Sequence, residues 1–182
     1  MRSRTALASL LTAATIVFSV VATATPATAG VLDVTCLPPS SQNTTYTPPL
    51  TNTAGPVTVS TSTQYGPCTS TSVPGLTTGS RSGNFNYSSF SCMNLLQSAA
   101  VTYTIAWNTG QQSTISGSTT VNTAGGVITV IVTGNVTAGL FAGDSVVQTA
   151  TGASTDITLC TLGLRSVSST NSLLTLEITS VS

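Results

Sequence analysis

Val101-Thr102-Tyr103-Thr104-Ile105-Ala106-Trp107 decides the fold class. Val, Tyr, Ile and Trp take every second position, and Thr, Thr and Ala fill the places between. Period two is the spacing of a half-buried strand, whereas a helix brings residues three and four apart onto one face. Downstream, residues 127–132 (VITVIV) are apolar on both faces, as expected for a strand in the middle of a sheet. Residues 173–179 alternate with Glu177 pointing outward. Further strands are predicted at 31–36, 57–64, 83–91, 113–121, 144–149 and 156–162, runs dominated by Thr and Val, whose branched side chains suit a pleated surface.

The connections carry turn chemistry. Asn108-Thr109-Gly110 and Thr123-Ala124-Gly125-Gly126 supply residues that tolerate positive φ at hairpin spacing, so 101–133 reads as a three-stranded meander. Pro38, Pro39, Pro48, Pro49, Pro56, Pro67 and Pro74 crowd the earlier part of the chain, which reads as loops and edge strands because proline cannot donate to a ladder. Residues 93–100 are the one stretch suited to a short helix. The predicted architecture is all-β: an antiparallel, immunoglobulin-like β-sandwich of about 8–9 short strands, with a jelly roll as the alternative. Asn52-Thr53-Ala54-Gly55-Pro56-Val57 and Asn122-Thr123-Ala124-Gly125-Gly126-Val127 are alike, but the match ends at the valine. It marks turn-to-strand chemistry used twice, not a duplicated domain.

Residues 1–29 read as a Sec-type signal peptide. Arg2 and Arg4 precede an apolar stretch over residues 6–22, and Ala27-Thr28-Ala29 offers a cleavage site before Gly30. Those 17 residues fall short of the ~20 that span a bilayer. The expectation is cleavage after Ala29, no membrane insertion afterwards, and a single secreted domain over 30–182. Four cysteines lie in that domain, Cys36, Cys68, Cys92 and Cys160, and export predicts two disulfides. Spacing leaves three pairings open, of which Cys36–Cys68 with Cys92–Cys160 is preferred.

Composition excludes much chemistry. The chain has 4 Lys+Arg, all of them Arg, 4 Asp+Glu and no His. Charged residues make up 4%, against roughly a quarter in ordinary globular proteins. No basic patch exists to bind nucleic acid. Serine and cysteine nucleophiles have no His or Lys to take their proton. Neither a metal site nor a cofactor motif is visible. The acids Asp33, Asp144, Asp156 and Glu177 are the remaining route to hydrolysis. Asp144, in a turn-like segment, is the best placed, although its side chain is suited to serving the turn backbone itself. The expectation is a protein that is not an enzyme.

Tyr65-Gly66-Pro67-Cys68, Ser91-Cys92, Trp107-Asn108-Thr109-Gly110-Gln111 and Gly139-Leu140-Phe141-Ala142-Gly143-Asp144, together with the late Cys160, resemble segments shared by a group of small secreted actinobacterial β-domain proteins. That group carries no assigned activity. The resemblance, over most of the chain after residue 29, implies export and a β domain and brings no site.

The expected function is therefore a secreted, non-catalytic structural or binding module, extracellular or associated with the cell envelope. The alternative is a carbohydrate-binding module for wall or environmental polysaccharide. Such a module would use Tyr65, Phe85, Tyr87 and Phe90 as a ligand platform, with Asp144 as a polar contact. Thr-rich strands with few charged guards also allow self-association.

Overall fold

Ten strands form in the computed structural model, which describes residues 31–180. They are β1 (Leu32–Cys36), β2 (Ser41–Leu50), β3 (Gly55–Tyr65), β4 (Cys68–Ser70), β5 (Gly79–Phe90), β6 (Ala100–Trp107), β7 (Gln112–Ala124), β8 (Val127–Gly139), β9 (Ser145–Ala153) and β10 (Val167–Thr179). The proposed signal peptide, 1–29, lies outside the described residues.

β6 behaves as its alternation demands. Ile105 and Trp107 are buried and Val101 and Tyr103 half-buried, all on the inner face. The outer Thr102 and Thr104 exchange hydroxyl hydrogen bonds with Ser116 (3.1 Å) and Thr114 (3.0 Å) of β7. The predicted meander extends through β10, each strand antiparallel to the last. Gly125 and Gly126, at φ 58° and 81°, make the two-residue turn that joins β7 to β8. Both positions need positive φ, which explains the glycine pair. β8 lies in the middle of the sheet, between β7 and β9, as expected; Ile128, Val132 and Val136 are buried, while Val127 at its start is exposed.

All strands belong to one sheet, ordered β2-β3-β5-β6-β7-β8-β9-β10, and β10 pairs again with β2. Eight antiparallel strands thus close into a barrel, in place of the two separate sheets of the expected sandwich or jelly roll. Alternation along each strand is the same for both architectures, so it cannot separate them. Closure depends on β10, thirteen residues long, reaching across from β9 to β2. β1 continues the same flank of β10 and carries β4 on its other side.

Two further expectations are corrected. Residues 156–162 are no strand: Thr155–Thr161 form helix α1, burying Ile157 and Cys160 one turn apart. Asp156 sits in its first turn, where a negative charge is favoured, and Gly163 follows its end at φ 75°. Ser41–Leu50 is an additional strand within the proline-rich region. Pro48 and Pro49 sit beyond its last pairing with β3, at Thr47, and where the β10 ladder is interrupted, so no missing N–H is demanded there. The short helix expected at 93–100 is a 3₁₀ helix at Cys92–Leu96.

Cys36 pairs with Cys68, and Cys92 with Cys160. Each disulfide belongs to one of two apolar clusters. The larger holds Trp107, Tyr65, Ile105, Ile115, Leu174, Leu176, Ile178 and Cys36–Cys68. The smaller holds Tyr46, Leu50, Val57, Val59, Val167 and Cys92–Cys160. The inside is apolar while Thr, Ser and Asn dominate the outer positions. That is the reverse of strands that span a bilayer, which face apolar residues outward. Among the described residues, no helix is long and apolar enough to cross a membrane.

Candidate functional site

β5 begins paired to β6 and then parts from it. Gly79 opposes Trp107 and Ser80 opposes Ala106, and there the ladder stops. Glycine is required at 79 because a Cβ there would lie 2.6 Å from the Trp107 ring. From residue 81 onward β5 pairs with β3 alone. Its inner-facing residues, Arg81, Gly83, Phe85 and Tyr87, therefore line a seam in the barrel wall.

A cavity of about 240 Å³ lies behind that seam, between the two apolar clusters. Its lining mixes apolar side chains, Val101, Ile128, Val130, Val132 and Ile157, with polar ones, Gln42, Thr44, Arg81, Gln148 and Ser172. A groove of about 350 Å³ runs along the outside of the seam and shares Gln42, Arg81 and Tyr103 with the cavity. Those three side chains stand where inside meets outside. An eight-stranded barrel has room for side chains or for one small ligand, and here packed side chains and an open cavity share the inside.

Arg81 organises the polar side. One of its terminal nitrogens donates to Gln42 Oε1 at 2.9 Å, and its guanidinium lies 3.9 Å from the centre of the Tyr103 ring. Its Nε is buried without a hydrogen-bond partner. Gln42 Oε1 also accepts from the buried Thr63 at 3.3 Å. The buried Gln148 accepts from Tyr65 at 2.7 Å and from Tyr103 at 3.1 Å through one oxygen, Oε1. Burial pushes the Tyr65 hydroxyl up from 10.0 to about 12, with the charge of Arg81 pulling it back in part. Tyr103 is raised as well, first by burial and then by Tyr65 beside it, against the pull of Arg81. Both tyrosines thus remain neutral donors at any ordinary pH.

The platform residues do not come together on one surface. Tyr65 is buried, and its hydroxyl belongs to the cavity network. Phe85 and Tyr87 are 47% and 43% exposed at the seam. Phe90 is half-buried against the smaller cluster and 4.7 Å from Tyr87, centre to centre. Asp144 sits in the β8–β9 turn, where its backbone N–H donates to the Phe141 carbonyl and its own carbonyl accepts from Val136. Of the other acids, Asp156 pairs with Arg165 at 3.0 Å and Asp33 accepts from Thr71 at 3.4 Å. Among the described residues no group of three or more His, Cys, Asp or Glu could hold a metal ion.

Sequence reasoning missed Arg81, Gln42, Tyr103 and Gln148 as a group, because four strands bring them together. One local signal existed. Arg81 lies in phase with Phe85 and Tyr87 on β5, so a cation was placed on an aromatic, inward face.

No family model matches this chain, and no curated protein or solved structure is significantly similar to it.

Proposed function

We propose that this chain is an exported, non-catalytic binding module that holds one small, largely apolar molecule inside its barrel. The observation that carries this reading is the cavity behind the β5–β6 seam, lined largely by apolar side chains and bordered by Arg81. Export is supported by the pattern of residues 1–29, by the likeness to small secreted actinobacterial proteins, and by two disulfides, which suit an oxidising compartment. Absence of catalysis is supported by a chain with neither His nor Lys, so that no hydroxyl or thiol has a nitrogen base. At about 240 Å³ the space is slightly below the ~300–1,000 Å³ of ordinary small-molecule sites, so the ligand is small.

Titration with a neutral, environment-sensitive dye such as Nile red tests this. The folded protein should bind it saturably with a blue-shifted emission, and Val130→Trp, which fills the cavity, should abolish binding while near-UV circular dichroism stays native. Saturable binding that survives Val130→Trp, or none by the wild type, sinks the cavity function.

Phe85 and Tyr87, exposed on one face of β5, favour a second function, stacking against a sugar. A glycan array with heat-denatured protein as control decides it. Binding that Phe85→Ala/Tyr87→Ala removes would place the ligand on these exposed rings along the seam instead.

A further inference from the structure

Donors outnumber acceptors around the cavity. An amide oxygen offers two lone pairs. Gln42 Oε1 has both taken, by Arg81 and Thr63, and Gln148 Oε1 has both taken, by Tyr65 and Tyr103. A guanidinium carries five N–H groups. Gln42 takes one, the Tyr65 hydroxyl lies within reach of the guanidinium as well, and the buried Nε–H meets nothing. A buried donor left unmet on a charged group is costly, and an anionic acceptor would relieve it. The ion pair of Arg165 with Asp156 lies on the surface, and among the described residues no carboxylate is paired with Arg81.

From this we infer that the ligand is a small amphiphile with a single carboxylate, its head held by Arg81 at the seam and its apolar body lying against Val101, Ile128, Val130 and Ile157. The inference rests on the cavity function proposed above and adds the charge and orientation of the ligand. A guanidinium fork fits a carboxylate with two parallel N–H bonds. Among the described residues only one cation, Arg81, faces the cavity, which matches a monoanion and leaves the second charge of a phosphate monoester uncompensated. The same side chain borders the outer groove, so the head arrives at Arg81 from solvent while the tail passes inward. Tyr103, stacked on the guanidinium, holds it in place for that contact.

Calorimetric titration with decanoate, methyl decanoate and decyl phosphate tests this, using wild type, Arg81→Gln and Arg81→Lys. Decanoate should bind at least about tenfold more tightly than its ester, the equivalent of ~1.4 kcal/mol. Arg81→Gln should erase that preference and still bind the ester, and Arg81→Lys should keep part of it. On the wild type, decanoate affinity should fall to that of the ester as the pH drops through the carboxyl range near about 4–5, while ester affinity stays flat. This arm decides the matter if neither variant folds. Equal affinity for acid and ester overturns the charge inference and leaves the cavity function standing. Decyl phosphate binding more tightly than decanoate overturns the single carboxylate. If none of the three ligands nor the neutral dye binds, the cavity function itself falls.

Discussion

The two ends of this barrel are closed in different ways. At the end built on Trp107, the disulfide lies within the ladder: Cys36 and Cys68 are direct partners on β1 and β4. Both strands extend the sheet, and the larger apolar cluster fills the space beneath. At the opposite end Cys92–Cys160 lies outside the sheet, tying the 3₁₀ helix to α1, and β5 has lost its partner on the β6 side. The first end is held by continuous pairing, whereas the second is a cap of two short helices bound by one covalent link. A wall interrupted on one side only leaves an open cavity without giving up the core on the other.

That contrast can be broken most sharply at Trp107. Its ring packs edge-on against Phe141 at 6.3 Å and near Tyr65 at 6.4 Å, and its Nε1 donates to Ser113 at 2.8 Å. Trp107→Ala should cost about 3–5 kcal/mol in denaturant unfolding, because it empties the larger cluster and frees the last paired residues of the seam. A loss below ~1 kcal/mol would mean that the paired end is not the one bearing the stability.

Removing the staple at the other end should cost somewhat less and act locally. Cys92→Ser/Cys160→Ser opens a link of sequence separation 68, worth roughly 2–4 kcal/mol. Hydrogen exchange should quicken in Cys92–Leu96 and Thr155–Thr161, with β6 to β10 staying protected. Equal acceleration in all strands would show the two ends to be one cooperative unit.

Taken for Tyr65 alone, alkaline pH provides the smallest and most selective of the three perturbations. Tyr65 releases its proton at 10.0 when unfolded and at about 12 when folded, so between those values the folded state binds more protons. Its contribution is complete below pH 10.0 and is lost as the pH climbs through about 12. Tyr103 and Tyr46, both raised by burial, act in the same direction. Tyr65 alone amounts to roughly 2–3 kcal/mol, at about 1.4 kcal/mol per pH unit. Tyrosinate absorbance followed alongside unfolding midpoints should show both changing together, and midpoints flat over that interval would contradict the buried network.

How much of this was legible in the sequence depends on whether a signal was local. Strand β6 and the turn at Gly125-Gly126 were readable because a period of two and paired glycines each have one structural meaning. Helix α1 was misread because Thr-Asp-Ile-Thr-Leu is rich in β-branched residues. The stronger cues were Asp156 at its start, Gly163 after its end, and Ile157 with Cys160 three apart. β2 was hidden by Pro48 and Pro49, although both stand outside its ladder. Barrel closure was invisible for a different reason: it lies in the pairing of Thr170 with Thr44 and Asn171 with Asn43, residues more than a hundred positions apart. The cavity follows from closure, so Gln42 and Gln148 could not be connected to Arg81 before the strands were in place.

The hydroxyl-covered exterior has a consequence for how the molecule responds to its surroundings. With so few ions on the wall, dissolved salt finds little to screen. Solubility and folding should therefore stay much the same in fresh water and in brine. In that quiet field the guanidinium at the seam is one of only two arginines after residue 29, and a charged molecule drifting past would feel it with little competition from the rest of the surface.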